Sequence, residues 1–255
     1  MNPHVKLHTI PRLFAVIPAA ILLGSSPLAH AATVSAPYDN DFSTSAADFT
    51  VAPTNRWIHL PTLGIYSNEY KSTTTTAGIE VGNLGKAAAT AKPFTYAVDF
   101  KFLDGNGTVS YVGVCFLSGA GNLPDTDGYR FYQVIATPNS TGIPLFLKRN
   151  NVTVASGTSF MQFRHTKGTA YRWEVKGVYV DTDADGVNDA LELTAKIINP
   201  ANGKESTLTY LDADPLTGTF FGMKTCDVNN VVSAVEWDAF SISNDAPKPA
   251  MVAIR

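Results

Sequence analysis

Acidic side chains recur at alternate positions in Asp181-Thr182-Asp183-Ala184-Asp185-Gly186-Val187-Asn188-Asp189, and Glu192 follows three residues later. Hard oxygen ligands at this spacing, with glycine where the chain must turn sharply, are what a Ca²⁺ loop requires. The run fits D-x-D-x-D-G-x₅-E over its whole length. Asp181, Asp183 and Asp185 are the candidate side-chain ligands, and the Val187 carbonyl is a further one. Either Asp189 or Glu192 completes the set. Four carboxylates packed this closely repel one another unless a cation neutralises them. The same Asp, Asn and Gly residues also suit a solvated hairpin turn. Calcium is the favoured reading, and its expected role is to order the loop.

Chemistry that breaks bonds is harder to find. No G-x-S-x-G occurs, and neither His59 nor His165 stands beside a recognisable nucleophile. Glycoside hydrolysis needs two carboxyl groups about 5–10 Å apart. Glu236 and Asp238 come nearest, but Phe240 stands where the third acid of E-x-D-x-E would be. No catalytic residue is assigned. Sugar binding instead needs aromatic planes beside hydrogen-bonding groups. Trp57, Tyr66 and Tyr70 lie in loop-like surroundings, and Arg130 and Tyr132 oppose Tyr129 and Phe131 on their strand. These five are the candidate ligand-binding residues. Trp173 reads as core.

The elements that must position these groups are strands. Phe94, Tyr96, Val98, Phe100 and Phe102 recur at period two, which predicts one buried face. Asp104-Gly105-Asn106-Gly107 turns the chain into Thr108 to Leu117. Tyr129 to Ala136, Pro144 to Arg149 and Val152 to Ala155 continue the meander, with Asn150-Asn151 as a tight turn. Tyr171, Trp173 and Val175 alternate with charged residues, and Gly177 is expected to be a bulge that turns Val178 and Val180 inward. Leu191, Leu193, Ala195 and Ile197 predict another half-buried strand. Ser206 to Leu211, Thr219 to Lys224 and Val235 to Ser243 close the set, while Ser72 to Thr76 reads as a loop. No stretch keeps a helical period. The fold class is all-β, an antiparallel sandwich.

Lys6 and Arg12, the apolar run Leu13 to Leu23 and Ala29-His30-Ala31 have the order of a secretion signal. Residues 1–31 are therefore expected to be cleaved, since the apolar run falls short of the roughly 20 residues a membrane span needs. Residues 32–245 would form a single domain and residues 246–255 a flexible tail. Cleavage removes two of the 19 basic residues and none of the 22 acidic ones, taking the formal charge from −3 to −5. That acidity argues against a nucleic-acid partner, and no later segment is apolar enough to span a membrane. The expected location is extracellular or periplasmic. Export permits a Cys115–Cys226 disulfide, but Cys115 equally suits a buried apolar position.

Tyr38-Asp39-Asn40-Asp41-Phe42, Phe94 to Phe102, Asp127-Gly128-Tyr129-Arg130-Phe131, Leu145 to Arg149, Tyr171 to Val175 and Glu236 to Ile242 follow one another in an informative order. Together they resemble the concanavalin A-like, LamG-like jelly-roll domains of exported bacterial proteins. The D-x-D-x-D-G-x-x-D spacing also resembles a thrombospondin type 3 loop, and the longer pattern an EF-hand loop. The resemblance implies two antiparallel sheets, often with Ca²⁺, and binding of carbohydrate or a cell-surface glycan. It also implies that first and last strands lie side by side with a second metal between them, for which Asp41 and Asp238 hold the matching places. A polysaccharide-degrading enzyme of this fold and a protein-binding adhesion module are the alternatives.

Overall fold

The computed structural model describes residues 33–52, 57–60, 62, 65–68, 74–85, 87–102, 110–119, 128–135, 145–156, 168–227 and 235–244. The leader, Tyr70, Asp125 to Asp127 and the tail 246–255 lie outside them. Fifteen strands follow in chain order among the described residues. They are β1 (Tyr38–Asn40), β2 (Thr50–Ala52), β3 (Trp57–Leu60), β4 (Ile65–Asn68), β5 (Thr74–Glu80), β6 (Phe94–Phe102), β7 (Ser110–Ser118) and β8 (Tyr129–Ile135). They continue as β9 (Leu145–Arg149), β10 (Val152–Ser156), β11 (Ala170–Val180), β12 (Ala190–Asn199), β13 (Lys204–Asp212), β14 (Phe220–Asp227) and β15 (Val235–Ser243).

Two antiparallel sheets stack face to face as a jelly-roll sandwich. The eight-stranded sheet runs β13-β12-β11-β6-β15-β4-β3, with β1 also on β15. The seven-stranded sheet runs β10-β9-β8-β7-β14-β5-β2. Period-two alternation has put the large apolar residues between them. Trp173 of β11 stacks on Phe100 of β6 at 5.6 Å and takes the edge of Phe131 from the opposite sheet at 4.7 Å. Such aromatic pairs add about 0.5–1.5 kcal/mol each beyond the area they bury. Phe94, Tyr96 and Phe221 repeat the arrangement nearby.

Several expectations need correction. Gly177 is no bulge: β11 stays in unbroken register with β6 and β12. Tyr179 therefore faces the core, while Val178 and Val180 face outward. Gly177 is small because Phe94 needs the space, a Cβ there falling 2.3 Å from the Phe94 ring. Thr74 to Thr76, expected in a loop, opens β5 and pairs with β14, as β-branched threonines readily do. Trp57 and Tyr66 sit on the paired strands β3 and β4 rather than in loops. Cys115 is buried and its thiol donates to the Gly222 carbonyl at 3.4 Å, whereas Cys226 pairs in register with Tyr111.

The Asn150-Asn151 turn is as expected. Both residues have positive φ, 46° and 68°, which suits a two-residue hairpin and which asparagine tolerates. Val152 then returns opposite Arg149.

Candidate functional site

The aspartate loop joins β11 to β12 at one end of the eight-stranded sheet. Its fold is local. Asp181 accepts from the backbone N–H groups of Ala184 and Gly186, each at 2.7 Å, and Asp185 accepts from that of Val187 at 2.8 Å. Ala184 and Gly186 take positive φ, 63° and 89°, to bring those donors round. The Gly186 amide is the main cause that holds the Asp181 carboxyl below the usual carboxylate range. Oxygens of Asp181, Asp183 and Asp185 lie within 4.8 Å of one another, the one such group among the described residues.

Three converging carboxylates suit a hard cation, and this triad could hold one. A Ca²⁺ ion takes 6–8 oxygens, so backbone carbonyls such as that of Val187, together with water, would have to supply the remainder. Neither proposed completing residue belongs to the triad. Asp189 is engaged by Thr182, accepting from its backbone N–H at 3.0 Å and its hydroxyl at 2.8 Å. Glu192 stands within β12 opposite Val178, exposed on the outward face.

The chain ends do lie side by side. β1 pairs with β15, Asn40 opposite Phe240, which brings Asp41 into the neighbourhood of Asp238. Asp41 is tied to Ser43, whose backbone N–H and hydroxyl both donate to it. Asp238 faces Asp99 of β6 across the sheet. Burial raises the Asp238 carboxyl above its ordinary value, and the charge of Asp41 adds to the shift. Burial likewise raises Asp99, against the pull of Arg172. Glu236 shares that outward face but is held by Lys101, and Trp237 between them is fully buried.

The five ligand-binding candidates part company. Trp57 is only 8% exposed and belongs to the core, which removes its ring from the surface. Tyr66 is on β4 opposite His59 and Trp237. Arg130 and Tyr132 share β8 in the other sheet, and Arg130 stands on its outward face.

Several positions on that outward face are buried. Register aligns Lys148, Arg130, Cys115, Gly222 and Gly78 in one row across β9, β8, β7, β14 and β5. Phe146, Tyr132, Gly113, Lys224 and Thr76 form the next row. Outward residues of a two-layer sandwich normally meet water. Here Thr76 and Phe220 are 2% exposed, Cys115 6% and Arg130 8%. The Phe220 ring lies across Gly78, where a Cβ would come within 2.2 Å of it. Beside it the Ser118 hydroxyl is buried with no hydrogen-bond partner among the described residues. A buried polar group of that kind is uncommon and suits a ligand hydroxyl.

Sequence reading missed Lys148, Lys224, Phe220 and Ser118. Alternation with Leu147 and Met223 would have turned the two lysines outward, but only the strand order places Lys148 beside Arg130 and Lys224 two strands away. The Arg130 end of that face lies toward the aspartate loop. Asp212, opposite Leu191 at the base of that loop, pairs with Arg149 at 2.6 Å, next to the Asn150-Asn151 turn.

No protein-family model matches the chain, and no curated protein does. Solved structures do resemble it. The CBM2 module of the evolved Dit of Lactobacillus casei BL23 phage J-1 aligns at TM-score 0.56 and 9% identity, over 82% of this chain and 96% of that one. Lectin II from Ulex europaeus aligns at 0.51 and 11%, over 81% and 97%. A GH43 glycoside hydrolase engineered to display endo-xylanase and exo-arabinofuranosidase activity aligns at 0.54 and 10%, over 83% of this chain but 41% of its own. At such low identity the likeness is one of architecture, and by its architecture this chain is a concanavalin A-like jelly-roll sandwich.

Proposed function

We propose that this chain is an exported, non-catalytic carbohydrate-binding domain with a structural Ca²⁺ loop. The outward face of the seven-stranded sheet would receive the sugar, with Arg130 and Tyr132 among its residues. The aspartate loop, at the same end of the sandwich, would be stiffened by the ion. One observation carries this reading: outward residues of that sheet, Arg130 and Phe220 among them, are buried rather than open to water. Ligand sites are concave, with few polar groups set among apolar ones. Ulex lectin II, the CBM2 module and a basic winged bean lectin solved with Tn-antigen support the reading by their names and shared architecture.

The test is binding of the signal-free protein to an array of neutral and acidic oligosaccharides, with and without chelator, alongside an assay for released reducing ends. The expected result is sugar binding that weakens when calcium is stripped, with no new reducing ends. Binding to no sugar in either condition overturns the reading in favour of a protein adhesin. Steady release of reducing ends overturns it in favour of an enzyme.

A further inference from the structure

We propose that the cavity at the rim of the sandwich, where β10 and β13 meet, is a second sugar site that takes one neutral pyranose unit of a glycan. This rests on the carbohydrate-binding reading above and adds a place of contact away from the outward sheet face.

The edge strands β10 and β13 belong to opposite sheets and come together along one side of the molecule. Alternation sends Arg149 to the inner face of β9 with Leu145 and Leu147, and register puts Val152 beside it. On β13, Tyr210 and Asp212 follow Leu208 inward. Inner positions of a sandwich are normally closed by the facing sheet. Here Val152 is 65% exposed and Tyr210 only partly buried, so the inner faces part at this end of the rim. The space there is a cavity of about 540 Å³, lined on its apolar side by Val152, Val154 and Tyr210. That volume falls within the range of about 300–1,000 Å³ that small-ligand sites occupy.

Arg149, Asn150 and Asp214 border the same cavity. The guanidinium of Arg149 donates to Asp212 at 2.6 Å and to Asp214 Oδ2 at 3.0 Å. With its one cation held between two carboxylates, the cavity suits a ligand that brings no charge of its own. Burial lifts the Tyr210 hydroxyl above its ordinary pKa, with the Asp212 charge adding to the shift and Arg149 opposing it, which sets this hydroxyl beside the ion network. It makes no hydrogen bond among the described residues. Asn150 gives its amide oxygen to the Gly128 N–H at 3.1 Å and keeps its amide nitrogen for another partner. Asp214, whose side chain is 95% exposed, keeps Oδ1.

A pyranose has a face of C–H groups and a girdle of hydroxyls that both donate and accept. Tyr210, Val152 and Val154 match the first. The Asn150 donor, the Asp214 acceptor and the Tyr210 hydroxyl match the second. Size excludes an extended peptide. Only the last residues of β13 and the first of β10 border the cavity, and a strand of five or six residues, about 17–20 Å long, overruns it.

The experiment follows backbone amides of the signal-free protein by NMR during titration with methyl glycosides of glucose, galactose, mannose, xylose and N-acetylglucosamine. Titration runs to about 20 mM, enough to fill a site of millimolar Kd. An apolar hexapeptide is titrated in parallel. The variants are Asp214→Ala, which removes an exposed carboxylate, and Val152→Glu, which intrudes on the cavity from an exposed position. Lys196→Gln on the other sheet is the control. The expected result is that at least one glycoside shifts the amides of Asn150, Val152, Leu211 and Asp214. Asp214→Ala weakens that binding about tenfold, Val152→Glu abolishes it, and the control changes nothing. Melting of Asp214→Ala stays within about 3 °C of the parent, since an exposed ion pair contributes little. Glycoside binding that both variants leave intact overturns this inference and leaves the carbohydrate reading standing. No shift with any glycoside overturns this inference, and together with no binding on the oligosaccharide array it overturns both. The peptide shifting these amides in place of the glycosides overturns it in favour of a peptide groove.

Discussion

Asp212 accepts hydrogen bonds from Tyr129 and from Arg149 through one and the same oxygen, Oδ2. Two strands of one sheet are thereby fastened to the edge strand of the other at the end that holds the aspartate loop. Burial is the main reason the Tyr129 hydroxyl is pushed well above its ordinary pKa, with the Asp212 carboxylate reinforcing it. Replacing Asp212 by alanine leaves the buried Tyr129 hydroxyl and the Arg149 guanidinium without their shared acceptor. The expected cost is about 2–3 kcal/mol, below the usual figure for a fully buried pair because the Arg149 side chain is 24% exposed. Thermal melting should fall by about 5–10 °C, and Asp212→Asn should fall by less.

Gly177→Ala is expected to destabilise the sandwich by about 1–3 kcal/mol, because the new methyl must displace the buried Phe94 ring. Urea unfolding checks this. The midpoint should fall with an unchanged slope, since the fold and the surface it buries are the same. A neutral result would mean that the ring has room to withdraw.

The proposed Ca²⁺ site makes its own prediction. Metal-stripped, signal-free protein should take up Ca²⁺ with measurable heat. At a hundredfold excess over Kd the ion should stabilise the fold by about 2.7 kcal/mol. Asp183→Ala should abolish that gain while leaving the strand signal in circular dichroism intact, because the loop lies outside the core. Calcium-dependent stabilisation that persists in the variant would place the ion elsewhere, with Asp41 and Asp238 as the next place to look.

Asp238 governs a pH effect of opposite sign to the usual carboxylate. Its folded pKa is raised, so its contribution to stability is complete below the ordinary carboxylate value near pH 4 and is lost as pH rises through the raised one. Asp238→Asn should therefore melt higher than the parent at pH 7. Oδ1 remains as acceptor for the Ala239 amide. The difference should shrink to nothing as pH falls below about 4. Melting curves across that range decide it, and a difference that persists at low pH would point to packing rather than ionisation.

Legibility in the sequence tracked the distance over which each feature is determined. The Phe94 to Phe102 face was readable because period two is written into adjacent residues, and so was the Asp181, Asp183, Asp185 triad, whose geometry closes within a few residues. Glu192 fitted the motif by spacing alone, yet strand pairing fixes it on an outward face. Gly177 read locally as a bulge, and only Phe94 on the neighbouring strand shows why the position is glycine. Trp57 looked exposed until β4 paired beside it. The Tyr129–Asp212 fastening joins residues 83 apart and leaves no local trace. Arg130 was legible as an outward residue, but its partners Lys148 and Asn151 belong to a hairpin whose side-by-side placement is a property of the sheet.

The order in which the eight-stranded sheet can be assembled follows from β15. This strand is the last of the fifteen, yet it is bonded to β6 along one edge and to both β4 and β1 along the other. Until residues 235–243 have emerged, the flanking strands have nothing to close against, and Trp237, Phe240 and Ile242 are missing from the core. A growing chain thus holds off its final collapse until synthesis is nearly done. Long-range closure of this kind is intrinsically slow.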